Sequence, residues 1–236
     1  MKNIYREIGT LLPLLAISIP GAAMANDELL INALNRHSAR MSSDWSYTQT
    51  TTVQSPNREM EKHVERFDPL KPEHGTTQEV VDYADLKGII GTDARLVSRT
   101  DQHAIYAVRT TNPPAVDLSA AESSTKIDGD WSDNALIGTA EVVYDADRNP
   151  YIKSLQLGLE KPFNNLLARV KKIDMRYQFE PSPANGAMLT HSFSTDVDMR
   201  ALLFVHQAVK VDVVFADFSP AAVNEATQVG APGKTM

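Results

Sequence analysis

Cysteine is absent from all 236 residues, and that omission closes several routes at once. There is no disulfide to staple the fold, no thiolate for nucleophilic or redox chemistry, no thiolate metal ligand, and no cysteine to carry a lipid behind a leader. Stability has to come from a packed core. Positive charge is also short, with 23 Lys and Arg against 30 Asp and Glu and a net charge of -7. That balance argues against nucleic acid and anionic lipid surfaces as partners. Catalytic signatures are missing as well: there is no Gly-x-Ser-x-Gly, no Ser-x-x-Lys with its companions, and Gly88-Ile89-Ile90-Gly91 lacks the Lys-Ser/Thr of a phosphate loop. The residues point away from an enzyme and call for no cofactor.

Long apolar runs are confined to the start. Lys2 and Arg6 precede an apolar stretch from Leu11 to Ile19, and Ala23-Met24-Ala25 supplies a small-x-small cleavage pattern. Residues 1–25 therefore read as a cleavable export signal leading to the periplasm. The apolar run is too short for a membrane anchor, which needs about 20 residues, and no later segment qualifies as an integral span.

What is present is β-rich. Asn26 or Asp27 is expected to cap a helix with Leu29, Leu30, Ala33, Leu34, His37 and Met41 on one stripe. At Trp45 the period changes to two, and Tyr47, Gln49, Thr51 and Val53 share a face in a run ended by Ser55-Pro56-Asn57. A hairpin partner from Met60 to Phe67 stops at Asp68-Pro69. Thr77 is expected to cap a short helix carrying Val80, Val81 and Ala84, and 116–127 reads as a loop insertion. Further strands are expected at 94–98, 104–110, 136–144, 151–159, 170–180, 187–200 and 205–218, with residues after Pro220 fraying. The organisation is one domain over 26–219 with a flexible tail over 220–236. Its fold class is mainly β (α+β), a strongly curved antiparallel sheet or incomplete β-barrel with covering helices.

Titratable residues give little. The histidines show no metal-ligand spacing, and His191 falls on the apolar phase of its strand. Asp196-Val197-Asp198 and Asp145-Ala146-Asp147 invite a carboxylate-pair or calcium reading, yet a spacing of two suits a solvated strand face or a turn, and the calcium-loop Gly and Glu are lacking. No metal site follows.

The remaining candidate is the inner apolar face: Tyr47, Ile173, Met175, Tyr177, Phe179, Phe193, Val197, Met199 and Val211 share it if the strand phases hold. The residues leave open whether they line a cavity for a hydrophobic ligand or form a dry core under the first helix. Flexible thioethers such as Met175 and Met199 suit varied apolar ligands.

The order of elements, with Trp45-Ser46-Tyr47-Thr48-Gln49-Thr50, Arg66-Phe67-Asp68-Pro69, Lys161-Pro162-Phe163 and Val211 to Phe218, resembles the LolA/LolB-like half-barrel proteins of the bacterial envelope. The resemblance implies an incomplete barrel around a hydrophobic cavity, and a non-catalytic carrier whose partner is a lipid, a lipoprotein or another envelope protein. It also implies a basic partner-facing surface and a cavity arginine. Here the chain departs, being acidic and offering no assignable counterpart. The alternative is an envelope interaction module without a small ligand, using an edge strand or the acidic outer face.

Overall fold

The structure is a computed structural model that describes residues 27–56, 58–71, 81–91, 93–114, 134–164, 168–201 and 205–221. The expected leader, the Thr77 cap, the 116–127 loop and nearly all of the tail lie outside the described residues.

The strands are β1 (Trp45–Gln54), β2 (Glu61–Phe67), β3 (Arg95–Arg99), β4 (His103–Thr110), β5 (Leu136–Tyr144), β6 (Pro150–Leu159), β7 (Phe163–Asn164), β8 (Ala168–Pro181), β9 (Met188–Ala201) and β10 (Val205–Pro220). They form one 10-stranded antiparallel sheet in the order β2-β1-β10-β9-β8-β6-β5-β4-β3, with β7 beside β8. Most neighbours are consecutive hairpins. Two pairings are exceptions: β6 meets β8 past the two-residue β7, and β1 pairs with β10 from Trp45↔Pro220 to Gln54↔Lys210 and so ties the two ends of the domain together.

Period-two burial follows from the pleat. Along β1, Trp45, Tyr47, Gln49, Thr51 and Val53 are buried while the residues between them are half-exposed. Val209, Val211, Val213 and Phe215 repeat the pattern on β10. The sheet is strongly curved and does not close, since β2 and β3 are both edges. Bulges contribute to the bend, at Glu141/Val142 against β6 and at Val170/Lys172 and Gln178/Phe179 against β9. Gly138 contributes too. A Cβ there would land on the Gln156 carbonyl of β6, so only glycine lets β5 and β6 approach this closely.

The helices are shorter than the sequence pattern suggests. α1 (Glu28–Leu34) is capped by Asp27, whose carboxylate accepts from the Leu29 N–H at 3.0 Å. It ends at Asn35 instead of running to Met41. The chain then pairs with the start of β9: Ser38 bridges to Met188, whose N–H donates to the His37 carbonyl at 2.8 Å. A strand-like tertiary partner outcompetes the weak helix propensity of Asn35, and His37 leaves the helical stripe. Helix resumes as α2 (Met41–Asp44). The next helical segment also differs: a 3-10 turn (Tyr83–Asp85) leads into α3 (Leu86–Ile90), ended by Gly91 at φ 64. Its buried face is Tyr83, Leu86, Ile89 and Ile90, with Ala84 exposed, so the expected stripe is out of phase.

Candidate functional site

Tyr47, Ile173, Met175, Tyr177, Phe179, Phe193, Val197, Met199 and Val211 are all buried on the inner face, but they fall into two neighbourhoods. The aromatic members lie where β1, β6 and β9 begin. Tyr47 sits 5.0 Å from the Phe67 ring centroid and edge-on to Phe215 at 5.4 Å. Tyr177 stacks on Phe193 at 5.9 Å and on Phe179 at 6.4 Å, and Phe179 meets Tyr83 edge-on at 5.3 Å. Such offset and edge contacts are the favoured aromatic geometries.

Tyr83 organises this end. Its hydroxyl donates to the Ala33 carbonyl at 2.8 Å and accepts from the Ile152 N–H at 2.7 Å, joining α1, the 3-10 turn and β6 through one buried atom. Thr190 adds a donor to the Val81 carbonyl at 2.6 Å. Sequence reasoning missed Tyr83, because a hydroxyl that links three elements leaves no mark on local spacing.

The aliphatic members lie toward the other ends of the same strands. Ile173 faces Val197, which faces Val209; Met175 and Val211 flank Thr195; Val211 faces Val53, and Met199 faces Val170. Among the described residues, no helix sends a hydrogen bond to this part of the sheet. No buried described residue carries a charge; the buried polar ones include Gln49, Thr51 and Thr195. Gln49 Nε2 donates to Thr51 Oγ1 at 3.1 Å, and Tyr177 Oη donates weakly to Met175 Sδ at 3.7 Å. Burial pushes the Tyr177 hydroxyl's ionisation well up, and burial together with the Asp82 charge pushes Tyr47 up to about 12. Both phenols stay neutral at physiological pH. This region suits uncharged, apolar matter and would penalise an ion.

The outer face is built differently. A groove of about 370 Å³ runs over Ser192 and Ser194 of β9, between Gln156, Arg176 and Gln178 on one side and Lys210, Asp212 and Val214 on the other. The short serines leave the trough, and Met175 and Phe193 reach its lining from the sheet itself. Most of its charges answer one another: Lys172 lies 3.0 Å from Asp174 and 2.6 Å from Asp196, and Lys210 lies 2.7 Å from Asp212. The Asp196 and Asp174 hydrogen bonds hold the Lys172 ammonium above its ordinary pKa. Asp198 pairs with His206 at 2.8 Å. The aspartates at 196 and 198 thus sit on a solvated face, as their spacing suggests.

Asp145 accepts from the backbone of Asp147 and Asn149 within its turn, at 2.9 Å each, and from Arg36 at 2.7 Å. His191 departs from expectation. It is the extra residue of the bulge between Gln178↔Ser192 and Phe179↔Thr190, which turns its side chain out to 38% exposure, 3.9 Å from Glu180. Among the described residues no group of three or more His, Asp and Glu could hold a metal ion, and no helix is long and apolar enough to cross a membrane.

No family model matches the chain, and no curated protein does. Among solved structures, it is similar to a LolA superfamily protein from Nitrosomonas europaea, with 7% identity over 80% of this chain and 90% of that one and a TM-score of 0.18. An overlap of that quality transfers neither a ligand nor a residue role.

Proposed function

We propose that this is an exported, non-catalytic carrier that holds a hydrophobic or lipidic ligand, free or as the acyl part of a lipoprotein, against the aliphatic half of its inner face. One observation carries the reading: buried, uncharged apolar side chains continue from the aromatic core to Ile173, Met175, Val197, Met199 and Val211, beyond the described helices' hydrogen-bonded anchor points at Ala33, Val81, Tyr83 and Ile152. Burying an acyl chain there is driven by about 25 cal/mol for each Å² removed from water. The absence of buried charge among the described residues favours an apolar guest over an ionised one. Export to the periplasm, the second part of the proposal, rests on the leader pattern of residues 1–25.

Native mass spectrometry and solvent extraction of protein purified from the periplasm test the reading, alongside titration with a fluorescent fatty acid ester. A co-purifying lipid and saturable uptake are expected. Repeated absence of lipid together with no uptake would remove the carrier and leave the interaction module.

A further inference from the structure

The two edges of the sheet are unlike. β3 spans 5 residues, and its pairing with β4 slips between Leu96 and Ser98, a bulge of the kind that spoils an edge as a template. β2 spans 7 residues and pairs with β1 in unbroken register from Glu61↔Val53 to Phe67↔Tyr47. Every residue from Glu61 to Arg66 is exposed, on both faces of the strand. Alternate residues of an edge strand turn their N–H and C=O away from the sheet. β2 therefore offers a straight row of donors and acceptors along which no described strand runs.

Its two faces carry opposite charge. Lys62, Val64 and Arg66 stand beside Thr52, Thr50 and Thr48, the outward residues of β1, whereas Glu61, His63 and Glu65 stand beside Val53, Thr51 and Gln49. Arg66 donates to Thr48 Oγ1 at 3.3 Å and His63 lies 3.7 Å from Glu61, while among the described residues Lys62 and Glu65 form no ion pair. Val64, between the two cations, is 60% exposed.

This pattern disfavours pairing with β2 of a second copy of the chain. A two-fold antiparallel pairing must set some residue opposite itself. Centred on Val64, it sets Lys62 of one copy against Arg66 of the other; centred on His63, Glu61 meets Glu65; centred on Lys62, Glu65 or Arg66, a charge meets its own kind. Like charges directly opposite across a ladder are destabilising.

We propose that β2 is the docking edge for an extended segment of another protein that pairs antiparallel to it, with residues running acid, base, apolar, any, acid, base opposite Arg66, Glu65, Val64, His63, Lys62 and Glu61. Main-chain hydrogen bonds supply the adhesion, and the alternating charges supply the register and the choice of partner. The proposal stands independently of any ligand on the inner face.

Two labelled peptides of identical composition test it on the full chain at low salt. One has the core Glu-Lys-Val-Thr-Glu-Lys and the other the exchanged core Lys-Glu-Val-Thr-Lys-Glu. Fluorescence anisotropy is expected to show the first binding about tenfold more tightly, since four cross-strand charge pairs change sign between them. Hydrogen exchange should slow at alternate amides of β2. Exchanging the charges on the protein, with Glu61→Lys, Lys62→Glu, Glu65→Lys and Arg66→Glu together, should reverse the preference. These side chains are exposed, so circular dichroism should be unchanged. Equal affinity for the two peptides, no binding of either, or slowed exchange only outside β2 overturns the proposal.

Discussion

The aromatic and the aliphatic ends of the inner face are equally buried, yet they are held by different means. At the aromatic end, rings interlock and one hydroxyl, on Tyr83, fastens α1, the 3-10 turn and β6. At the aliphatic end, unbranched and β-branched side chains face one another across the ladder, with the thioethers of Met175 and Met199 among them. Directional contacts fix one packing, whereas flexible aliphatic contacts tolerate several. The difference teaches that burial alone does not separate a core from a binding surface. What separates them is how much of the packing is locked by geometry.

Truncation should expose that contrast most clearly. Phe179→Ala, which empties the aromatic end between Tyr83 and Tyr177, is expected to cost about 3–5 kcal/mol in urea unfolding. Val211→Ala, at the aliphatic end, should cost about 1 kcal/mol, and less still when ligand is present, because a guest there re-covers the surface. Comparable losses at both ends would make the inner face one continuous core.

A finer test removes only the fastening. Tyr83→Phe keeps the ring against Phe179 but leaves the buried Ile152 N–H without its acceptor, and should cost about 1–3 kcal/mol. A loss of that size confined to the aromatic end would appear as faster hydrogen exchange at Ile152 and Ala33, with Val197 and Val211 unchanged.

Acid should act on the aromatic end as well. Burial alone would raise the Asp145 carboxyl, but hydrogen bonds from Asn149, Arg36 and Asp147 outweigh it and hold it below its ordinary value. A depressed folded-state carboxyl stabilises above the unfolded value, about 4, and that stability is lost as pH falls through the folded value. Asp145→Asn should therefore flatten the acid limb of the stability curve, read as midpoint urea concentration against pH. Asp82 has the opposite sign: burial raises its carboxyl, while the Met41 N–H bond only partly opposes this. Its contribution is fullest when protonated and is lost as pH rises through the folded value. Asp82→Asn keeps an acceptor for Met41 and should raise neutral-pH stability by less than about 1 kcal/mol, the smallest effect of this set.

Much of the sheet was legible in the residues because period-two alternation is a local property. Tyr47, Gln49, Thr51 and Val53 on β1, and Ile173, Met175, Tyr177 and Phe179 on β8, face inward as their spacing requires. What escaped was set by distant partners. Nothing near Asn35 announces that Ser38 will bridge to Met188, and nothing near His191 announces the bulge that turns it outward. The inward, buried phase of the nine candidate residues could be read from strand alternation, but their division into two ends could not, because that depends on where Tyr83 lands.

The central claim is that the aliphatic end of the inner face accepts an apolar guest, and the most direct measurement is uptake of a fluorescent fatty acid ester by Met175→Trp beside the unaltered protein. Filling that end with an indole is predicted to abolish saturable uptake while near-UV circular dichroism of the Tyr83, Phe179 and Tyr177 cluster persists. Undiminished uptake by the variant would place any guest elsewhere and contradict the account.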